Sequence, residues 1–512
     1  MRNVIVNGDA LTVADVVDVA NGDARAELGP EVAARMEFSR SVVTAAIAGD
    51  QPVYGVNTGF GALADTTVGE ADLNRLQRAI IVSHSAATGA PLDDRAVRAI
   101  LLLRARTLTA GLSGVRVDLP RRLLDLLDRN LLPVIPGKGS VGASGDLAQL
   151  AHLAQPLIGA GRLRGPGDGR HGRPAAEVLA EHAIEPLTLG PKEGLSLVNG
   201  TEPMQALLAF SVHDAELLVR AADVACAMSI EALLGTDRPY DPRVQVIRPH
   251  PGQLDSAANL RALLAGSALM ASHRRSRHAV QDAYCLRCAP QVHGAVRDVL
   301  AYARRVIDTE LGAVVDNPVI VPDGEVMTTG NFHGEPLAFA ADMLGIAISE
   351  LASISERRVD RMLDPAFSRG LPPFLAPDAG TNSGYMLAQY TAASLVSENK
   401  VLAHPASVDT IPTSGKQEDH VSMGWTGVRK LREIILNVRT CLSVEILCAA
   451  QGIGLRAGIA EPSAPIGAVH ALIRDNVPRM DVDREVSEQI VTIDRLLPDI
   501  CAVAAGHCDG LL

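Results

Sequence analysis

Residues 342–363 read DMLGIAISELASISERRVDRML, and this stretch decides the fold class. Apolar side chains recur there at three- and four-residue spacing, which places them on one face of an α-helix. They are Leu344, Ala347, Ile348, Leu351, Ile354, Val359 and Met362. The pattern predicts a long helix packed against other helices.

Other stretches rich in Ala and Leu, which favour helices, continue this pattern along the chain. Helices are predicted over residues 30–48, 93–110, 202–234, 257–271, 292–309, 384–403 and 424–454. Strand signals are few and short, at residues 4–6 and 319–321. The sequence therefore predicts a mainly α protein with a long-helix core.

Composition narrows the function classes. The 512 residues are 47% hydrophobic with a net charge of -12 and no basic tract, so we expect no nucleic-acid partner. No unbroken apolar run reaches the ~18 residues of a membrane span, and the start lacks a signal peptide's apolar core. Seven scattered cysteines, with a single Cys285-x-x-Cys288 pair, favour a reducing, cytoplasmic compartment over disulfides or zinc.

The most unusual loop is GKGSVGASGDLA, residues 137–148. It matches G-x-G-x-x-G, but prolines precede it and no acid follows at the spacing of a dinucleotide site. It also lacks the P-loop and the G-x-S-x-G patterns. The structural alternative is a helix-entry turn with Ser144 or Asp146 as N-cap. Small residues would also let the Gly145 nitrogen reach the Ala143 carbonyl.

Read with the motifs below, this loop resembles the aromatic amino acid ammonia-lyase family, and its histidine-specific members in particular. The resemblance runs from about residue 54 to about residue 455. It implies that Ala143-Ser144-Gly145 cyclises with loss of two waters to 4-methylidene-imidazol-5-one (MIO), with no external cofactor. The MIO group is a strong electrophile that accepts electrons, and ordinary side chains do not supply such a group. Gln149 replaces the family's usual proline, and we expect it to affect packing rather than ring formation.

Tyr54 begins the glycine-rich segment YGVNTGFG, residues 54–61. On its own it is a packed aromatic residue with a satisfied hydroxyl. The resemblance implies that Tyr54 is the base that removes the β-proton, which requires a lowered pKa. The flanking glycines would let this loop close as a lid.

Two motifs point to the substrate side chain. Ser83-His84 matches the histidine-specific pair, whereas phenylalanine- and tyrosine-specific members resemble Phe-Leu and His-Leu. A polar pair can hydrogen-bond an imidazole. Glu418, in Gln417-Glu418-Asp419-His420, is either part of a charged helix start or zinc site, or the family's carboxylate for the imidazole. Lys416 replaces the Asn or Met expected there.

Further polar residues match the family's substrate site. Asn199, otherwise a turn residue, would place amide donors near the ring oxygen. Arg287, otherwise solvated, would grip the substrate carboxylate with two hydrogen bonds. Gln281 and Tyr284 would orient the substrate and tune the electrophile. Phe332 would pack near the electrophile.

His333 and Glu335 follow Phe332 and could form half of a metal site. A third ligand is not evident from the sequence. A structural turn is therefore the preferred interpretation, and no metal is predicted.

The implied reaction is non-oxidative elimination of ammonia from L-histidine to give trans-urocanate. The alternatives are a lyase or 2,3-aminomutase of the same family acting on tyrosine or phenylalanine, and a non-catalytic helical scaffold whose tripeptide stays uncyclised. The resemblance also implies a fumarase/aspartase-like helix bundle and a homotetramer whose sites combine residues of several chains. Three regions are predicted: 1–200 with the MIO loop and lid tyrosine, 201–455 as the central bundle, and 456–512 as a C-terminal helical region.

Overall fold

The computed structural model describes residues 1–49, 52–275, 280–508 and 510–512. Helices dominate these residues, which confirms the mainly α prediction. They are α1 (Val13–Asn21), α2 (Val32–Ile47), α3 (Leu73–His84), α4 (Asp94–Thr109), α5 (Asp118–Asp128), α6 (Leu147–Ala154), α7 (Ala175–Glu181), α8 (Glu193–Val198), α9 (Glu202–Ala232), α10 (Pro242–Gln245), α11 (Pro251–Leu264), α12 (Ala268–Ser272), α13 (Tyr284–Arg287), α14 (Ala289–Glu310), α15 (Glu335–Leu363), α16 (Met386–Leu402), α17 (Gly424–Leu455), α18 (Ala464–Asn476) and α19 (Val486–Gly506).

The helix predicted over residues 342–363 is the C-terminal part of α15, which begins earlier, at Glu335. The helix predicted over 257–271 is instead two helices, α11 and α12. The chain turns between them at Gly266, whose φ is 72°. A positive φ is incompatible with a continuous right-handed helix, so periodicity alone joins what the backbone separates.

Strands are short and form small sheets. In the pairing with the longest strands, β1 (Arg2–Val6) runs parallel to β2 (Ala24–Leu28). Antiparallel pairs join β3 (Thr88–Pro91) to β5 (Pro136–Lys138), β4 (Leu132–Pro133) to β6 (Arg162–Arg164), β6 to β7 (Arg173–Pro174), and β8 (Val319–Ile320) to β9 (Val326–Met327). Both stretches with a strand signal in the sequence are thus paired in the structure.

The chain forms two compact units. The first contains residues 1–213, 304–342 and 405–429, and the second contains 214–303, 343–404 and 430–512. Four of the five boundaries fall inside helices, α9, α14, α15 and α17, and the fifth follows α16. Each unit is thus assembled from separate stretches of sequence. The three regions predicted from the sequence, 1–200, 201–455 and 456–512, follow the order of the chain. Their bounds stay a prediction.

The core of the first unit is organised around α4, whose residues from Ala99 to Thr109 are all buried. Two of them are charged. Arg104 donates to Glu202 at 2.7 Å, and Arg106 donates to backbone carbonyls that include Asp9 at 2.9 Å. Buried charges are tolerated only with such partners, so α4 fixes distant segments around itself.

The second unit has its own buried polar centre. Arg358 donates through Nη2 to Glu445 at 2.7 Å, and both side chains are fully buried. The Ser229 hydroxyl also donates to Glu445, at 2.6 Å. The pair is therefore satisfied by partners on α9, α15 and α17, which fixes the register of these helices relative to one another.

One helix, α15, is long and apolar enough to cross a membrane by length and composition, with a mean hydropathy of 1.6. Charged and polar residues interrupt its apolar runs, so the length of unbroken runs does not single it out. However, 61% of its most apolar window is buried within the protein. Packing against protein thus accounts for its composition.

Candidate active site

The Ala143-Ser144-Gly145 tripeptide lies in the loop between β5 and α6. This loop turns sharply because Gly139, Gly142 and Gly145 have φ angles of 126°, 70° and 70°. Side chains disfavour that region of backbone conformation. Ala143 and Gly145 are buried, and Ser144 is partly buried. The tripeptide therefore occupies a tightly folded, largely enclosed segment.

The tripeptide is held against Gly200, between α8 and α9, in a parallel bridge with Gly145 that we call the glycine clamp. Gly200 N–H donates to the Ser144 carbonyl at 3.3 Å, and Asp146 N–H donates to the Gly200 carbonyl at 2.8 Å. A Cβ on Gly145 would lie 1.8 Å from the Gly200 oxygen. The clamp thus requires glycine at position 145. This requirement adds to the one predicted from the sequence, that a small residue lets the Gly145 nitrogen reach the Ala143 carbonyl.

Asp146 is a buried residue that the sequence analysis considered only as a helix cap. Its carboxylate caps no N–H group of α6. It accepts instead from the Ser140 hydroxyl at 2.6 Å and from the Met204 N–H at 3.0 Å. Burial raises the pKa of Asp146 to about 7. A buried carboxyl group with a raised pKa therefore lies directly beside the tripeptide.

An open cavity of about 580 Å³ in the first unit is lined by the tripeptide. Five residues predicted from the sequence share its wall: Tyr54, Ala143, Ser144, Phe332 and Glu418. The chain thus brings together side chains from four distant segments. The volume of the cavity and the mixed polarity of its wall suit a small amino acid.

Tyr54 lies in a turn over this cavity, and its hydroxyl accepts from the Gly61 N–H at 3.4 Å. Burial is the main reason that the pKa of Tyr54 is raised, and the Glu418 carboxylate raises it further. The predicted base requires the opposite shift. Within the described chain, nothing supplies the positive charge that would lower the pKa of this phenol.

His84 ends α3 and is half-buried, with Nδ1 3.1 Å from the Ser83 hydroxyl oxygen. Burial lowers the pKa of His84, although a backbone hydrogen bond at Ile80 and the Glu418 charge oppose the shift. The neutral imidazole is thereby favoured. His84 does not line the cavity wall, but it lies close enough to Glu418 for their charges to interact.

Glu418 is partly buried in the segment that precedes α17. Its Oε2 atom accepts from the Thr413 hydroxyl at 2.9 Å. The same carboxylate influences the pKa of both Tyr54 and His84. Glu418 is therefore the charged group that connects the predicted base with the predicted substrate-reading histidine.

Asn199 follows α8 and is buried beneath the glycine clamp. Its Nδ2 group donates to Asp316 Oδ1 at 3.4 Å and to the Asn317 carbonyl at 3.3 Å. Both neighbours accept from the amide nitrogen, which fixes the orientation of the Asn199 side chain. The role expected for this amide, as a donor near the oxygen of the electrophile, stays a prediction.

A buried ion pair that the motifs did not reveal supports Asn199. Lys192 donates to Asp316 at 2.8 Å, and both side chains are fully buried. The Ser196 hydroxyl donates to the same carboxylate at 2.9 Å. Lys192 also has a φ of 68°, which signals a backbone held in place by its surroundings. The left-handed backbone of a lysine has no signature in a single sequence.

Gln281, Tyr284 and Arg287 belong to the second unit, and none of them lines the cavity of the first. Tyr284 is 71% exposed. The Arg287 guanidinium lies over the Tyr284 ring at 4.6 Å. These three predicted residues thus form a separate group on the described chain, at and next to α13.

His333, Glu335 and His420 have ligand atoms within 4.8 Å of one another, so the structure provides the third candidate ligand that the sequence did not show. Both ring nitrogens of His333 are already engaged by the backbone. Nδ1 accepts from Glu335 N–H at 3.3 Å, and Nε2 lies 3.2 Å from the His420 carbonyl oxygen. This arrangement supports the structural-turn interpretation.

The two departures from the family pattern have different surroundings. Gln149 is fully buried in α6, where its Nε2 donates to the Pro136 carbonyl at 3.4 Å, at the foot of the tripeptide loop. Its packing role is therefore visible. Lys416 is exposed and lies in a turn with a φ of 71°, where its N–H donates to the Thr413 carbonyl at 3.0 Å.

Comparison with known proteins adds independent findings. A family profile described as "Aromatic amino acid lyase" matches residues 11–475. The histidine ammonia-lyase of Anaeromyxobacter dehalogenans (strain 2CP-C) is 50% identical over 505 residues, which cover 98% of this chain and 99% of that protein. The similarity thus extends over the whole cavity wall.

Two of the solved structures with similar folds differ in the reaction that their names state. Histidine ammonia-lyase from Trypanosoma cruzi superposes with a TM-score of 0.91 at 40% identity, over 99% of this chain and 96% of that one. Tyrosine aminomutase from Streptomyces globisporus superposes with a TM-score of 0.93 at 37% identity, over 100% of both chains. The fold is therefore common to lyases and aminomutases, and the site residues have to distinguish them.

Proposed function

This chain belongs to the aromatic amino acid lyase family, and from that premise we propose that it eliminates ammonia from L-histidine to give trans-urocanate. Membership makes it a carbon–nitrogen lyase. The single observation that carries the choice of histidine is the Glu418 carboxylate on the cavity wall, close enough to His84 to influence its pKa. An imidazole can donate to such a carboxylate, whereas a phenyl ring would leave it unpaired.

The tripeptide fits the proposed MIO group. Ala143 and Ser144 line the cavity, and the glycine clamp leaves no room for a side chain at position 145. Cyclisation would join the Gly145 nitrogen to the Ala143 carbonyl carbon, with loss of two waters. The group would supply the electrophile that elimination needs. Asp146, with a pKa raised to about 7, is placed to exchange protons during that dehydration.

The remaining residues of the cavity wall would bind the substrate and move its proton. Glu418 and His84 would hold the imidazole, and Phe332 would pack beside the electrophile. Tyr54 would remove the β-proton. Its raised pKa means that this step needs a nearby positive charge, because cations favour the phenolate. The Asn199 side-chain amide would stabilise the negative charge that develops on the electrophile.

We propose that Gln281, Tyr284 and Arg287 act in the cavity of a neighbouring subunit. They belong to the second unit, outside the described wall of the first. Arg287 would bind the substrate carboxylate bidentately and supply the positive charge that Tyr54 lacks. A cytoplasmic homotetramer, with each active site drawing on more than one chain, is the assembly that this division favours.

The test is ultraviolet absorbance of product from L-histidine, L-tyrosine and L-phenylalanine in parallel. We expect a rise with histidine alone, because elimination forms a double bond conjugated to the imidazole. A rise with tyrosine or phenylalanine instead would retain the lyase chemistry and overturn the substrate. No rise with any of them would overturn the proposed elimination.

The alternative is a 2,3-aminomutase, which the fold of the tyrosine aminomutase from Streptomyces globisporus brings into consideration. A mutase returns ammonia to the β-carbon instead of releasing it. Chromatography of the products distinguishes the two reactions. We expect free ammonia in equal amount to urocanate, and β-amino acid as the main product would favour the mutase.

A further inference from the structure

The segment that carries Glu418 connects the two reacting loops, and we call residues 410–423 the Glu418 strap. At one end, the Met423 N–H donates to the Val141 carbonyl at 2.9 Å, within the tripeptide loop. At the other end, a Cβ on Gly61 would lie 2.5 Å from Ser414 Oγ, so the strap abuts the Tyr54 loop. Glu418 is therefore placed relative to both the electrophile and the base.

The turn of the strap has an unusual backbone. Ser414, Gly415 and Lys416 have φ angles of 50°, 61° and 71°. Two of these residues carry side chains, and such a conformation costs free energy unless its surroundings determine it. The turn reverses the chain between Thr413 and Glu418, so the strained backbone has the effect of placing these two residues opposite each other.

Thr413 and Glu418 form an antiparallel bridge. The Thr413 N–H donates to the Glu418 carbonyl at 2.9 Å, and the return bond is 3.4 Å. Directly opposed residues project their side chains to the same face. The Thr413 hydroxyl accordingly donates to Glu418 Oε2 at 2.9 Å. The described part of the chain offers Oε1 no donor, so this oxygen remains available to a ligand.

We propose that Thr413 is a specificity-determining positioning residue, whose hydroxyl holds Glu418 so that Oε1 meets the substrate imidazole. This inference rests on the proposed function. A carboxylate on a flexible side chain otherwise loses rotamer freedom when it binds. A hydrogen bond that fixes the rotamer beforehand removes part of that loss. The gain applies only to a substrate whose ring carries an N–H donor.

Thr413→Val removes the hydroxyl and retains the shape of the side chain. We expect KM for L-histidine to rise about tenfold, equivalent to about 1.4 kcal/mol, with a smaller effect on kcat. Thr413→Ser keeps the donor and should restore most of the affinity. The matched control is Thr309→Val, the same change at an exposed helix position where the hydroxyl donates to the Arg305 carbonyl; KM should stay unchanged.

A double-mutant cycle with Glu418→Gln separates positioning from a general disturbance of the loop. If Thr413 acts through Glu418, adding Thr413→Val to Glu418→Gln should raise KM no further. An equal effect in both backgrounds, or a KM for Thr413→Val equal to the wild-type value, would overturn the inference alone. A wild-type protein inactive toward L-histidine would overturn the proposed function, and this inference with it.

Discussion

At the scale of single residues, Ser144 is the residue on which the proposed electrophile depends. Ser144→Ala removes the hydroxyl whose loss as water would create the exocyclic double bond of the proposed MIO group. We therefore expect activity to fall by several orders of magnitude, since this group would make the amine leave. Intact-mass measurement should show the wild type lighter than its sequence by two waters. The variant should match its sequence.

Ser41→Ala is the control for that substitution, because the Ser41 hydroxyl is exposed and donates only to the Phe38 carbonyl, at 2.7 Å. It should retain both activity and the mass deficit. Full activity of Ser144→Ala would contradict the assignment of the tripeptide. A wild-type mass equal to the sequence would favour the uncyclised scaffold.

The buried carboxyl group of Asp146 leads to a second prediction, on how protein stability depends on pH. Its folded-state pKa of about 7 lies above the unfolded value of about 3.9. The folded state thus keeps a proton that the unfolded state loses between these values, so the residue lowers stability as pH rises from about 4 to about 7. Asp146→Asn cannot ionise. The free energy of unfolding of this variant, relative to that of the wild type, should therefore rise by about 4 kcal/mol between about pH 4 and about pH 7.

Urea unfolding of the two proteins at several pH values measures this gap. The same substitution at an exposed position, Asp475→Asn, is the control for loss of a charge alone. A gap between Asp146→Asn and the wild type that stays constant from pH 5 to pH 8 would contradict the raised pKa.

Local motifs were sufficient to identify five residues of the cavity wall, because residues such as Tyr54, Ser144 and Glu418 lie in distinctive short segments. They were insufficient for the environment of each group. The hydrogen-bond partners of Asp146 and of Asn199 come from segments distant in sequence. Met204 donates to Asp146, and Asp316 accepts from Asn199. A single sequence does not show which distant segments meet.

At the scale of elements, the glycine clamp joins the tripeptide loop to the start of α9. A Cβ on Gly200 would lie 2.4 Å from Arg104 Nη1 and 2.3 Å from Glu202 Oε2. Gly200→Ala should therefore displace this buried ion pair, with a loss of stability on the order of 3 kcal/mol. Thermal unfolding measures the loss, and intact mass shows whether cyclisation still occurs.

Gly169→Ala provides the comparison, since a Cβ at Gly169 would meet no atom within 4 Å. Its melting temperature should stay close to that of the wild type. A Gly200→Ala variant as stable as Gly169→Ala, and fully cyclised, would show that the clamp can yield without cost.

Helix positions could be predicted from periodicity to within a few residues where the apolar face is continuous, as in α4 and α17. The prediction joined α11 to α12 because the side-chain pattern continues through Gly266, whose backbone does not. It also began α15 too late, at Asp342 instead of Glu335. The turn before that helix is built by hydrogen bonds of His333, which periodicity does not detect.

At the scale of the whole molecule, the proposed assembly predicts complementation between two inactive variants. Tyr54→Phe removes the proposed base in the first unit, and Arg287→Ala removes the proposed partner of the substrate carboxylate in the second. If a site combines the first unit of one chain with the second unit of another, hybrid tetramers contain some intact sites. Co-expression should therefore yield clearly more activity than either variant alone.

Size-exclusion chromatography with light scattering establishes that the hybrids are tetramers. Co-expression of Tyr54→Phe with Ser144→Ala is the control, because both residues line the same cavity wall. That pair should show no recovery. Failure of the first pair to recover activity in a mixed tetramer would contradict the proposal that Arg287 acts in a neighbouring subunit's site.

The glycine clamp also bears on when the protein becomes reactive. Gly145 and Gly200 meet only after the chain between them has folded back, and an unfolded chain holds the tripeptide open. A nascent or misfolded polypeptide would then carry an ordinary serine, harmless to cellular thiols and amines. On the proposed function, the electrophile would therefore form only after folding, when the cavity already surrounds the tripeptide.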